Sequence, residues 1–239
     1  MAGAIAHLTG GREVVVAESG QGILGPWLVP VGNEAPDIRT HPLFARCIEA
    51  FLRETLGTEL KFMHPQLFRT KAETLQAAAL KSSPGWMQTH SCPRDARHVS
   101  IDHTLRQCGV CSACLLRRQS VFSAGLRESD PYYWNDLRAP SLDEARLPGG
   151  RAATDNDYRI AKAGVLSNTQ LAAFTDSSEG KRRIPEAAQE LAESIHETPQ
   201  EVETKLGRLL QKHTDEWNEF VGAQGPDSFI SQWRSIVQC

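Results

Sequence analysis

Long apolar runs are missing from this sequence of 239 residues, in which no 18 consecutive residues are apolar. Because a membrane-spanning helix needs about 20 such residues, the sequence predicts no transmembrane segment. The first residues lack the basic start and apolar core of a secretory signal peptide. Both absences favour the cytoplasm, where cysteines stay reduced. The phosphate-binding consensus G-x4-G-K-[ST] is also missing, which argues against a P-loop of that kind.

A strong charge of either sign is missing as well. The 26 Lys and Arg residues nearly balance the 29 Asp and Glu residues, and the formal net charge is −3. Such a balance attracts neither nucleic acid nor anionic membranes. The sequence also has no basic face interleaved with aromatic residues. Nucleic acid is therefore not favoured as a direct ligand. The length suffices for one α/β core with an appendage or for two modest domains.

Four of the six cysteines are present at a spacing typical of metal sites. Cys92, Cys108, Cys111 and Cys114 form the pattern C-x15-C-x2-C-x2-C. A C-x2-C turn can direct two sulfur atoms at one centre, and Gly109 allows that turn to close. Because four thiolates fill a tetrahedral shell with no open position, the pattern predicts a structural zinc site.

Two other readings of the cysteines stay open. Ferredoxin-type iron–sulfur runs also contain C-x2-C-x2-C, but they usually continue to a fourth cysteine followed by proline, whereas Cys114 leads into Leu-Leu-Arg-Arg. Buried thiols or a disulfide pair fit less well, because four cysteines lie within 23 residues of a chain without a secretion signal. His90, His98 and His103 are further potential ligands, which four thiolates do not require.

The run CGVCSACLLRR from Cys108 to Arg118, preceded by Cys92 and followed by Ala124-Gly125-Leu126, resembles a known zinc motif. It is similar to the C-terminal motif of 7-cyano-7-deazaguanine synthases and of the wider QueC-like group, within the PP-loop ATP-pyrophosphatase superfamily. These enzymes use ATP with Mg²⁺ to adenylate a carboxylate on a Rossmann-like sheet, then pass ammonia to it. Some members occur in antiphage defence operons. The resemblance is specific at the cysteines and looser over residues 13–90.

Two predicted strands lead to candidate binding residues. Glu13–Ala17 is an apolar run typical of a buried strand, and it ends at Glu18. Because ligands of doubly wound sheets lie at strand ends, Glu18 is a candidate nucleotide or substrate contact, although a solvated loop carboxylate is an equal alternative. The second strand, Glu59–Met63, leads to Thr70 and Lys71.

The segment around Thr70 and Lys71 resembles the strand-to-helix step of PP-loop enzymes, where a threonine and a lysine lie near the adenylate. The resemblance implies that Lys71 faces a phosphate. Thr70 and Glu73 also form a T-x-x-E capping box, which starts a helix over residues 71–81 whether or not anything binds there.

Arg117 and Arg118 follow Cys114 after two leucines. They resemble paired basic residues of the family at this place, and guanidinium groups suit bidentate contacts with carboxylate or phosphate. We expect one of the two to face the substrate. A surface or salt-bridged pair is the alternative.

Other patterns outline the remaining chain. A helix is expected from Thr40–Pro42 to Gly57, with Cys47 on its apolar stripe as a buried hydrophobe. Residues 137–165 are expected to form a loop, and later helices to begin at Pro185 and after Thr198. His213 lies on an apolar stripe, which favours a core histidine whose hydrogen bonds are satisfied.

PP-loop enzymes hold ATP with an N-terminal S-G-G-x-D-S loop, and that sequence does not occur here. We therefore expect residues 1–136 to be the C-terminal part of a QueC-like domain, an incomplete Rossmann-like α/β layer with a zinc knuckle, and residues 137–239 to be a helical extension. The resemblance implies ATP and a carboxylate as substrates, an ATP-dependent C–N ligase activity, and a protein partner that supplies the loop. The alternative is a non-catalytic zinc-bearing adaptor of a defence or modification complex.

Overall fold

The computed structural model describes residues 1–32, 35, 38–78 and 84–237, which form a mixed fold of helices with two small sheets. The helices are α1 (Ala2–Leu8), α2 (Gly20–Leu28), α3 (Pro42–Leu56), α4 (Lys71–Ala77), α5 (Ala96–Val99), α6 (Ser112–Ser123), α7 (Asp155–Ala172), α8 (Ser178–Ile195), α9 (Pro199–Gly222) and α10 (Phe229–Arg234). The strands are β1 (Glu13–Val15), β2 (Lys61–Met63), β3 (Ser100–Ile101) and β4 (Thr104–Leu105). The predicted end of the helix over 71–81 lies outside the described residues.

Strands β1 and β2 pair in parallel, with Val14 opposite Phe62. These two side chains pack against a small apolar cluster of α1 and α3. The other face of the pair is open, because Val15 is 62% exposed and Met63 is 45% exposed. The prediction of a buried strand over Glu13–Ala17 is therefore wrong, since the strand covers only Glu13–Val15 and no second layer covers that face within the described residues.

Helix α3 has its predicted position but not its predicted buried face. It ends at Gly57, whose left-handed φ of 62° explains the glycine there. Cys47 is exposed, so its prediction as a buried residue is wrong. The helix buries the side that carries Ala45 and Leu52, and Cys47 lies about 200° around the axis from Ala45.

Two helices differ from their predicted starts. Residues 155–165 are helical rather than loop, because Thr154 and Asp157 form a capping box that starts α7. Helix α8 begins after the cap Ser177 and contains Pro185 in its interior. Pro185 is exposed, so water can reach the carbonyl that it leaves unpaired. The start after Thr198 is confirmed, since α9 has the predicted capping box.

The two main hydrophobic clusters combine residues from both sides of position 137. One surrounds the cysteines and joins Val110 and Leu115 to Val165 and Trp217. The other joins α2 to α8 and α9. The C-terminal helices therefore complete the cores beneath the cysteine segment and the strand ends. None of the described helices has the length and apolar character needed to cross a bilayer.

Gly164 lies where α7 packs tightly against the cysteine segment. A Cβ there would lie 2.8 Å from the carbonyl oxygen of Val110 and 2.8 Å from the backbone nitrogen of Ser112. Backbone atoms cannot move aside as a flexible side chain can, so only glycine fits without a shift of α7.

We predict that Gly164→Ala lowers the free energy of unfolding by about 1–3 kcal/mol through overpacking. The matched control is Gly207→Ala in α9, where a Cβ meets no atom within 4 Å. That substitution should be neutral or stabilise by up to about 1 kcal/mol, because alanine favours helix. Urea denaturation of both variants measures the difference, and equal stabilities would contradict the close approach.

Candidate functional site

The structure brings the sulfur atoms of Cys92, Cys108, Cys111 and Cys114 within 4.8 Å of one another. The Cys108 and Cys114 sulfurs are 3.7 Å apart. Metal–sulfur bonds of about 2.3 Å in a tetrahedron place sulfurs about 3.8 Å apart, so the observed spacing suits one metal ion. Cys92 is half-buried and the other three residues are buried.

Local backbone geometry directs these sulfurs inwards. Cys111 is the N-cap of α6, and Cys114 lies in the first turn of that helix. Gly109 has a φ of 88°, and a Cβ there would lie 2.5 Å from the carbonyl oxygen of Trp134. Backbone N–H groups of Cys108 and Cys111 donate to the sulfurs of Cys92 and Cys108, both at 3.3 Å. Such bonds stabilise thiolate character.

The thiols also interact with one another. Hydrogen bonding with neighbouring thiols lowers the pKa of Cys92, chiefly through Cys108, and lowers the pKa of Cys108, chiefly through Cys111. The same contacts, led by Cys108, raise the pKa of Cys111 and of Cys114. Four thiolates this close repel one another, so ionising all of them requires a cation among them. The donor set therefore fits a metal ion.

Arg117 anchors the segment before Cys92. Its guanidinium donates to the Thr89 carbonyl at 2.9 Å and to the Glu128 carboxylate at 2.6 Å. It also lies over the Trp86 ring, 5.9 Å from the centroid. Arg117 is only 5% exposed, so its N–H groups contact other parts of the same chain.

Arg118 holds the other side of the cysteine segment. It donates to the carbonyls of Trp134 at 2.9 Å and Asn135 at 2.6 Å, and it stacks 4.5 Å from the centre of the Tyr132 ring. These bonds fix the segment against which Gly109 packs. Both arginines thus support the cysteine fold, whatever else they contact.

Glu18 and Lys71 meet where β1 and β2 end. The Lys71 ammonium lies 3.1 Å from a Glu18 carboxylate oxygen, and their side chains are 28% and 36% exposed. Burial acts to raise the pKa of Glu18, but Lys71 and the Ser19 N–H outweigh it, and the pKa lies below its usual value. The pair is an accessible ion pair at the edge where parallel sheets bind ligands.

Thr70 is buried behind this pair. Its hydroxyl accepts from the Glu73 N–H at 3.2 Å, which confirms the capping box. The same hydroxyl donates to the Glu216 carboxylate of α9 at 2.7 Å. Thr70 therefore connects the strand-end segment to the C-terminal helices and is not itself exposed to a ligand.

A buried polar network continues from Glu216. Gln119 of α6 lies 3.4 Å from Glu216 and 3.5 Å from His213, and Gln21 of α2 lies 2.9 Å from His213. The His213 ring also pairs with the Asn168 carbonyl at 3.1 Å, which agrees with its predicted core role. Burial raises the pKa of Glu216 and lowers that of His213 to about 4.

Sequence reasoning missed Glu216, Gln119 and Gln21. A signal was available for one of them, because Glu216 adjoins Trp217 and lies three residues from His213 on the apolar side of α9. A carboxylate at a core position indicates a buried partner. Gln119 and Gln21 gave no comparable signal, since their partners lie on other helices.

Comparisons of this chain with models of known protein families, with curated proteins and with solved structures found no match. The resemblance at the cysteines therefore stays a prediction, and function has to be argued from the site. The site offers four sulfurs for one metal ion and, separately, an accessible Glu18–Lys71 pair at the strand ends.

We predict that the purified chain contains one metal ion and that Cys114→Ser loses it, because three thiols hold the ion less tightly and the fold depends on it. Elemental analysis measures the metal, and a chelator should lower the melting temperature of the original chain but not of the variant. The control, Cys47→Ser, changes an exposed cysteine outside the cluster and should retain the metal. A chelator without effect on the original chain would contradict a structural metal.

We predict that the free energy of unfolding of the His213→Gln variant falls less between pH 6.5 and pH 4 than that of the original chain. His213 is neutral in the folded state at a pKa of about 4, whereas the unfolded side chain binds a proton near pH 6.5. Its contribution is therefore complete above pH 6.5 and is lost as the pH falls towards 4, by about 3 kcal/mol in total. Urea unfolding at several pH values gives both curves. Parallel curves between pH 6.5 and 4 would contradict the buried, neutral imidazole.

Proposed function

We propose that this chain is the carboxy-terminal part of a QueC-like, ATP-dependent ligase whose nucleotide loop lies on a partner polypeptide. The observation that carries the proposal is the accessible Glu18–Lys71 pair at the carboxyl ends of two parallel strands. Ligands of open α/β sheets bind at that edge. The reaction is adenylation of a carboxylate and its amidation or conversion to a nitrile, related to that of 7-cyano-7-deazaguanine synthases, in the cytoplasm.

The proposed roles of the pair follow from charge. The Lys71 ammonium would attract a phosphate of ATP or the substrate carboxylate, and Glu18 holds it in place. A carboxylate such as Glu18 is also the kind of oxygen ligand that Mg²⁺ prefers. Neither residue supplies the cradle of backbone N–H groups that a phosphate loop provides, so the pair needs a partner for catalysis.

We infer that the metal ion at the cysteines is zinc. Four thiolates with no open position are typical of structural zinc, and the ion would be held by Cys92, Cys108, Cys111 and Cys114. It would join the loop at Cys92 to the start of α6 and take no part in chemistry. The reducing cytoplasm keeps such thiols available.

The edge of β1 is the proposed contact for the partner. Val16 donates to Met63 at 2.8 Å, so by alternation the Val15 N–H points away from β2. On the far side of β2, Glu49 accepts the Phe62 N–H at 2.6 Å and occupies that edge. Within the described residues β1 pairs with β2 alone, so an added strand at β1 would extend a Rossmann-like layer.

The second candidate is a non-catalytic zinc-bearing adaptor in a defence or modification complex. The engagement of both Arg117 and Arg118 within the chain favours it, because the basic pair expected near the substrate already has partners. An adaptor would use the same metal centre for rigidity and the same β1 edge for docking.

We predict that Val15→Pro prevents assembly with a partner that carries the S-G-G-x-D-S loop, since proline removes the outward N–H and leaves the β1–β2 bonds intact. Val15→Thr is the control, because it keeps the N–H and the branched shape. Native mass spectrometry of the chain co-expressed with the genes beside its own measures the complex. Equal assembly of the two variants would exclude strand addition at β1.

We predict that the complex converts ATP to AMP, that the chain alone does not, and that Lys71→Gln slows the complex at least about tenfold by losing a charge-assisted contact. Lys181→Gln removes an exposed lysine of α8 and should leave the rate unchanged. A complex that assembles without AMP formation supports the adaptor instead. If Lys71→Gln left the rate of AMP formation unchanged, the proposed contact of Lys71 with ATP or the substrate would be wrong.

A further inference from the structure

A cleft of 840 Å³ lies between α3, β2 and the turn from α8 to α9. The four cysteines, Glu18 and Lys71 do not line it, so it is separate from the sites already described. Its size is in the range of small-molecule sites, which are about 300–1,000 Å³. Because α8 and α9 form one wall, the cleft exists only in the complete fold.

The walls of the cleft are predominantly positive. Two carboxylates line it, and both are used within the chain: Glu49 accepts the Phe62 N–H at 2.6 Å, and Glu197 accepts the Lys205 ammonium at 2.6 Å. Five cationic side chains line it, namely Arg46, Lys61, Arg69, Lys205 and Arg208. The protein as a whole carries a net charge of −3, so this positive surface is local.

Two of these cations have neither an acidic partner nor a side-chain hydrogen bond among the residues that the structure describes. Arg208 pairs with Glu73 and Lys205 with Glu197, and Arg46 donates to the Glu193 carbonyl. Lys61 and Arg69 are exposed and have no such contact. Two uncompensated charges at the rim of one concave surface attract an anion more strongly than isolated surface lysines do.

The floor of the cleft is apolar. Phe68 is half-buried and Leu67 is buried, and both line it beside Ile195. A phosphate alone would leave this surface unused, whereas an aromatic ring could pack against it. An amphipathic ligand therefore matches the cleft better than a simple ion does.

We propose that this cleft binds a small phosphorylated molecule with an aromatic ring, which is the chemistry of a nucleotide. Lys61 and Arg69 contact the phosphate, and the apolar floor receives the ring. The concave shape and the acidic remainder of the protein disfavour a nucleic-acid strand, which needs a long basic track. The proposal does not depend on the ligase activity, since the cleft is complete in this chain alone.

The test is isothermal titration calorimetry of the full chain with AMP, adenosine and inorganic phosphate. AMP should bind more tightly than either of the others, and more weakly as salt is raised. The double variant Lys61→Gln with Arg69→Gln should weaken AMP binding at least about tenfold, because each substitution removes a charge-assisted hydrogen bond. Lys181→Gln removes an exposed lysine outside the cleft and should change binding by less than about twofold.

Three results would overturn the proposal: no binding of AMP, unchanged binding in the double variant, or adenosine binding as tightly as AMP. Tighter binding of a single-stranded oligonucleotide than of AMP would also overturn it in favour of nucleic acid. Val15→Pro alters only the β1 edge and should leave AMP binding intact. Failure of the partner assembly and failure of this site are therefore distinguishable.

Discussion

Convergence of four sulfur atoms is the constraint around which the middle of the chain is arranged. Thiolates at this spacing repel one another, so the surrounding protein has to hold them together and exclude other arrangements. Arg118 fixes one flank through two backbone carbonyls, and Arg117 fixes the other through Thr89 and Glu128. Arg117 and Arg118 thus hold the cysteine cluster in place. This role explains why Arg117 is buried and why Arg118 stacks on Tyr132.

The strand ends depend on a different kind of contact. Thr70 and Glu216 share a hydrogen bond, and Gln119 and His213 extend it into a polar network inside an apolar core. Buried polar groups are costly unless paired, so this network fixes the relative positions of α4, α6 and α9. The accessible Glu18–Lys71 pair is consequently held by helices that the sequence pattern marks only as an extension.

Local patterns in the sequence predicted local structure well. Side chains within one turn formed the capping boxes at Thr70 and Thr198, and the cysteine spacing predicted the sulfur cluster. Burial was predicted less well, because Val15 and Cys47 are apolar but lie on faces that nothing in the described residues covers. Which face a helix or strand buries depends on its neighbours, and periodicity records only that an apolar side exists. The hydrogen bonds of Glu216 join residues about 100 or more positions apart in the chain, and patterns within one segment cannot predict such pairs.

The contact between Thr70 and Glu216 spans 146 residues of chain. At a synthesis rate of about 5–20 residues per second, roughly 7 to 30 seconds separate the two residues on the ribosome. During that interval the segment around Lys71 lacks the helix that fixes it, while all four cysteines are already available to bind metal. The four cysteines can therefore meet during translation, but the segment at the strand ends is fixed only after α9 has left the ribosome.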